Sequence, residues 1–144
     1  LTAAASVICQ SWLPLVLIGL PRMYGTWLHI VFGLTQHAGL AEDVLDHRHN
    51  TRTVYMNPIF RFLYWNMNYH VEHHMFPMVP YHALPALHEE MKADTAPVYR
   101  NMMEAYREII PALWKQSSDP DFFVHRAVPN SDPISAQSSP GAAA

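Results

Sequence analysis

Three histidines fall within five residues in the stretch Asn66-Met67-Asn68-Tyr69-His70-Val71-Glu72-His73-His74-Met75-Phe76-Pro77. On a helix, His70, His73 and His74 stand at i, i+3 and i+4 and share one face. Neutral imidazole is the commonest protein metal ligand, so a face of this kind is a grip for a transition metal. The plainer reading, a set of hydrogen-bonded core histidines, suits a lone histidine better than three at this spacing. A zinc protease helix fits poorly, because H-E-x-x-H and H-x-x-E-H both require glutamate at a position where H-V-E-H-H has none.

A helix must position this face. Asn57-Pro58 reads as an N-cap followed by proline at the first helical position. Nothing from Ile59 to Phe76 breaks a helix, and Pro77 stops it. Ile59, Phe62, Leu63, Asn66, His70 and His73 recur at three- and four-residue steps. The expectation is one helix whose metal face continues an apolar, inward-pointing stripe.

At these residues the chain resembles a known family. His70-x-x-His73-His74, followed by Met75-Phe76-Pro77, is similar to the third histidine box of the membrane-bound fatty acid desaturase and hydroxylase superfamily. The resemblance runs from Leu1 to about Gln116 and is most specific between Gln36 and Pro85. It implies two iron ions held by histidines from three boxes, H-x-x-x-H, H-x-x-H-H and H/Q-x-x-H-H. It also implies a reaction that uses oxygen and two external electrons on an unactivated C–H bond. A histidine at the end of the preceding span supplements the boxes in that family, and this role passes to His37. Asn66, one turn before His70, is then placed to hold a water on iron or orient a ligand. Glu72 points away from the His70/His73 face and is expected to support a ligand or form a salt bridge, and His82 and His88 to stand behind the ligands or on the substrate side. His47 and His49 are weaker ligand candidates, being two residues apart. The first two boxes are not in this chain, which is therefore expected to be the C-terminal part of a larger enzyme with an incomplete ligand set.

Composition agrees with a membrane protein. Half of the residues are hydrophobic, and from Leu1 to Ala41 the only charged residue is Arg22. The length allows one domain. A net charge of −3 argues against a nucleic-acid partner. Cys9 is the only cysteine, which excludes an internal disulfide and a thiolate metal site. No basic region precedes the first apolar run, so a signal peptide is not expected.

The expected architecture is all-α. Leu1 to Leu20 and Thr26 to Leu40 form two apolar runs joined at Pro21-Arg22-Met23-Tyr24-Gly25, a transmembrane helical hairpin over residues 1–40. Residues 41–116 follow as cytoplasmic helices carrying the histidine box, and 117–144 as a mostly disordered tail, with Phe122 and Phe123 able to dock. Arg48, Arg52 and Arg61 after the second run place the box and the C-terminus on the cytoplasmic side. Arg48 or Arg52 should pair with Asp43 or Asp46. Further helices are expected near Leu84 to Ala93 and Val98 to Lys115, the second kinked or shortened by Pro111.

The resulting expectation is an integral membrane di-iron oxidoreductase that desaturates a fatty acyl lipid. Its electrons would come from ferredoxin or a cytochrome b5-type donor with its reductase. A hydroxylase of the same superfamily, or a non-enzymatic membrane protein binding one metal, are the alternatives.

Overall fold

The computed structural model describes residues 1–131 and is all-helical. Its helices are α1 (Thr2–Ile8), α2 (Leu20–His37), α3 (His47–Asn50), α4 (Pro58–Leu63), α5 (His70–Met75), α6 (Leu84–Met91) and α7 (Met102–Gln116). No β-strand occurs among the described residues; there are isolated bridges, Thr53 to Tyr69 and Val54 to Tyr99. The chain divides into two units, one ending at Gly33 and one beginning at Leu34.

In the first unit the expected hairpin is redrawn. α1 is short and ends at Ile8, and Gln10 turns the chain with φ of 46°. A π-helical stretch, Leu15–Gly19, then runs directly into α2. The stretch 21–25 is therefore helix, not the turn between two spans. Pro21 has no N–H and crowds the carbonyl four residues earlier. A wider π turn just before it, closed by Leu20 N–H on the Leu15 carbonyl, accommodates that defect without ending the helix. Leu15–His37 is one helix of 23 residues, long and apolar enough to cross a membrane by length and composition. At 1.5 Å per residue it reaches about 35 Å, against roughly 30 Å of bilayer hydrocarbon. Close packing of α1 on the π turn depends on Gly19, where a Cβ would meet Thr2 Oγ1 at 3.0 Å.

The second unit is organised by the extended segment 51–55. Arg52 N–H donates to the Gln36 carbonyl at 2.9 Å, Val54 N–H to Asn68 at 3.0 Å and Tyr55 N–H to Tyr99 at 2.9 Å. One short segment therefore ties the end of α2, the approach to α5 and the approach to α7 together. Val54 packs with Ala105 and Ile109 of α7 in the core. Gly39 has φ of 75° and lies so close to α7 that a Cβ would come within 2.7 Å of Ala112 Cβ. α7 contains Pro111 without breaking.

Arg48 pairs with Asp46 as expected, but Arg52 does not pair with Asp43 or Asp46. It is buried and bridges Glu108 of α7 at 2.9 Å and the Ala38 carbonyl at 2.6 Å. After α7, residues 117–131 form no helix and none is fully buried, but the part expected to be able to dock is hydrogen-bonded back onto the second unit. Val124 N–H donates to the Gly39 carbonyl at 2.9 Å, Arg126 donates to Thr51 and Pro97 carbonyls, and Ser131 Oγ lies 3.0 Å from His49 Nε2. The remainder of that expected tail, 132–144, lies outside the described residues.

The single helix expected from Pro58 to Phe76 is two helices. Asn57 caps α4 by accepting from Phe60 N–H at 2.9 Å, but α4 ends at Leu63. Trp65 and Asn66 both adopt a left-handed φ of 53°, and the chain turns before α5. The Asn66 side chain supports that turn, donating to the Tyr81 carbonyl at 3.1 Å and accepting from Arg61 Nε at 3.2 Å. Asparagine tolerates this conformation because its short side chain can hydrogen-bond locally. Ile59, Phe62 and Leu63 are consequently exposed and do not form an inward stripe continuous with the histidines.

Candidate metal centre

α5 has only six residues, yet it carries the whole box. His70 and His74, one turn apart, bring their Nε2 atoms within 3.1 Å. His37, the last residue of α2, points its Nε2 at His70 Nε2 from 2.9 Å. The three ligand atoms lie within 4.8 Å of one another. Imidazole–metal bonds of about 2.1 Å at right angles put neighbouring donors roughly 3 Å apart, which is how His70 stands to His37 and to His74.

His37 is oriented from behind. Its Nδ1 lies 2.8 Å from the Asn50 carbonyl, and a carbonyl only accepts, so Nδ1 carries the proton. The Nε2 lone pair therefore faces the other two rings, the arrangement by which backbone acceptors prepare a ligating histidine. Burial, followed by neighbouring His37, His74 and His73, pushes His70 down to about 2, with a backbone contact to Met67 acting the other way. Burial, followed by His37, His47 and His73, pushes His74 down to about 4. Both rings are thus neutral at ordinary pH, which is the ligating form. Converging neutral imidazoles suit iron, as they suit zinc, copper or nickel. The donor set fits one ion.

The other expected residues are placed differently. His73 stays beside the cluster, its ring 5.7 Å from His70 and 5.8 Å from His74, and is not one of the three converging groups. His47 comes closer than its sequence position suggested, with its ring 5.0 Å from His74 and its Nδ1 3.3 Å from Asn50 Oδ1. His49 turns away toward Ser131. Asn66 faces Arg61 and Tyr81, and His82 is exposed with its ring against Tyr81. Neither is brought to the imidazoles.

Glu72 lies on the back of α5 and is fully buried. Its Oε2 accepts from Thr53 Oγ1 at 2.5 Å and its Oε1 meets His88 Nδ1 at 2.5 Å. His88 Nε2 continues to Tyr55 OH at 2.8 Å. This polar chain joins α5 to the 51–55 segment and to α6, so it holds the box helix rather than touching the converging nitrogens. The strength of the His88 contact was not legible in sequence, where His88 is merely one of several histidines after the box. Asn50 was missed altogether; its spacing of three from His47 on a helical turn was the available signal.

A search of curated proteins and of solved structures finds no match to this chain. The sequence profile of the family described as fatty acid desaturase matches residues 1–106. That span holds most of the chain, with His37, the 51–55 segment, the box helix and His88 all inside it. The chain belongs to the fatty acid desaturase family.

Proposed function

We propose that this chain is the third-box part of a membrane di-iron oxidoreductase that introduces a double bond into a fatty acyl chain. The observation that carries the reading is the convergence of His37, His70 and His74, taken together with the family. Bound iron would supply the oxygen-dependent redox chemistry. His37, His70 and His74 would hold one ion, and the second would be completed by histidines outside these 144 residues, with His47 and His73 flanking His74. Asn50 keeps His37 in the ligating tautomer, and the Glu72–His88 pair keeps α5 in register. The Leu15–His37 helix would span the bilayer and deliver His37 to the cytoplasmic surface, where Arg48, Arg52 and Arg61 follow. A ferredoxin or cytochrome b5-type donor would supply electrons on that side.

The test is product formation in membranes supplied with oxygen, a saturated acyl lipid, reductase and donor. The chain alone is expected to give no unsaturated product. Joined to a desaturase segment carrying H-x-x-x-H and H-x-x-H-H, it is expected to give product that His70→Ala abolishes. Product from the chain alone, or product insensitive to His70→Ala, overturns the reading.

A further inference from the structure

Away from the imidazoles, an open pocket of about 460 Å³ is lined by Pro58, Arg61, Phe62, Trp65, Asn66 and Tyr81. Arg61 is its only charged lining residue. The guanidinium donates through Nε to Asn66 Oδ1 at 3.2 Å and lies over the Tyr69 ring at 5.4 Å. No aspartate or glutamate forms an ion pair with it among the described residues.

The walls are built, not incidental. Trp65 and Asn66 hold left-handed backbone, a strained choice for a bulky residue such as tryptophan. The strain is held in place by Asn66 on the Tyr81 carbonyl and by Trp65 against the Tyr81 ring at 4.9 Å. The stretch from α4 to Tyr81 also exposes large apolar groups, with Phe62 81% and Met78 93% exposed. A cation set among tryptophan, tyrosine and phenylalanine beside exposed apolar side chains matches the depth of a membrane–water interface.

We propose that this pocket binds the headgroup of an anionic phospholipid. The Arg61 fork takes the phosphate in the two-pronged geometry that suits guanidinium, and Trp65, Phe62 and Tyr81 receive the glycerol and first methylenes. A soluble anion would have no use for the apolar walls, and a zwitterionic lipid would leave the guanidinium without a net counter-charge. The proposal rests on the membrane reading of the chain and is independent of the metal and the reaction.

The test uses the full chain in zwitterionic micelles, doped with phosphatidylglycerol or phosphatidylcholine carrying brominated acyl chains that quench tryptophan. The Trp65 signal is the difference between the parent and Trp65→Phe. The Trp27 signal, from the apolar helix, is obtained in the same way with Trp27→Phe. Trp65 quenching is expected to half-saturate at least fivefold lower in phosphatidylglycerol than in phosphatidylcholine, and Arg61→Gln is expected to abolish that preference. If Arg61→Gln does not fold, Arg61→Lys keeps the charge, loses the fork and should lower the preference at least twofold. Equal quenching by both lipids, or a preference unchanged in the variant, overturns the proposal. So does displacement of the brominated lipid by inorganic phosphate below millimolar concentration, which would make the pocket a free-phosphate site. Trp27 quenched equally by both lipids supports the membrane reading whatever Trp65 does; no quenching at Trp27 overturns that reading and the proposal with it.

Discussion

Replacing Glu72 by alanine tests whether the box helix is held from behind. The carboxylate is fully buried and serves two partners, Thr53 Oγ1 and His88 Nδ1, each at 2.5 Å. Its removal leaves the Thr53 hydroxyl without its acceptor and strands His88, itself 1% exposed. Leaving a buried donor unpaired costs about 1–3 kcal/mol, and removing one partner of a buried pair costs about 3–5 kcal/mol. The expected loss is therefore about 3–5 kcal/mol. For a chain of about 150 residues, 1 kcal/mol moves Tm by about 2–4 °C, so a drop of at least ~6 °C should appear in thermal denaturation of the detergent-solubilised chain. His88→Ala should cost a similar amount, and the double variant much less than the sum of the two, because both substitutions break one contact. Cobalt binding should weaken in parallel, since α5 carries His70 and His74. A Tm within ~3 °C of the parent, or costs that add in the double variant, would refute the reasoning.

The other predictions separate ligand from scaffold. His37→Ala should lower cobalt affinity at least ~100-fold, more than the 10–100-fold typical of groups that only orient a ligand, while stability falls by no more than about 3 kcal/mol, because the chain loses two hydrogen bonds, to the Asn50 carbonyl and to His70 Nε2; full cobalt stoichiometry with parental affinity would remove His37 from the centre. The metal-free chain should lose stability as pH falls from about 6.5 through 4 toward 2. His74 and His70 are held at about 4 and about 2, so over that window the unfolded chain binds more protons than the folded one, and the contribution is complete only above 6.5. His74→Gln should flatten the decline of Tm between pH 6.5 and 4.5, and identical slopes would count against the burial of that ring. Gly39→Ala should cost about 2–4 kcal/mol by denaturant titration, combining a left-handed φ of 75° with a 2.7 Å approach to Ala112; a cost below ~0.5 kcal/mol would show that α7 can move away.

Sequence spacing determined what local geometry controls. His70 and His74, four apart, share a helical face in any α-helix, and Asn57-Pro58 starts a helix because the cap and the proline act on their own neighbours. The apolar character of residues 15–37 and the family resemblance were legible for the same reason: both depend on residue type and order alone. Helix continuity was misread in both directions. Pro21 did not end its helix, because a π turn absorbed the missing N–H, whereas the Trp65-Asn66 break carried no proline or glycine and depended on Tyr81, fifteen residues beyond Asn66, for its support. The resemblance pointed to His37, but only the tertiary structure separated the imidazoles that converge, His37, His70 and His74, from His73. His73 shares the helix with its neighbours but turns aside, while His37, 33 residues before His70, completes the set because segment 51–55 binds Gln36 at one end and Asn68 at the other. Periodicity specifies a face, but the partners of that face are set by where distant backbone hydrogen bonds bring the chain back.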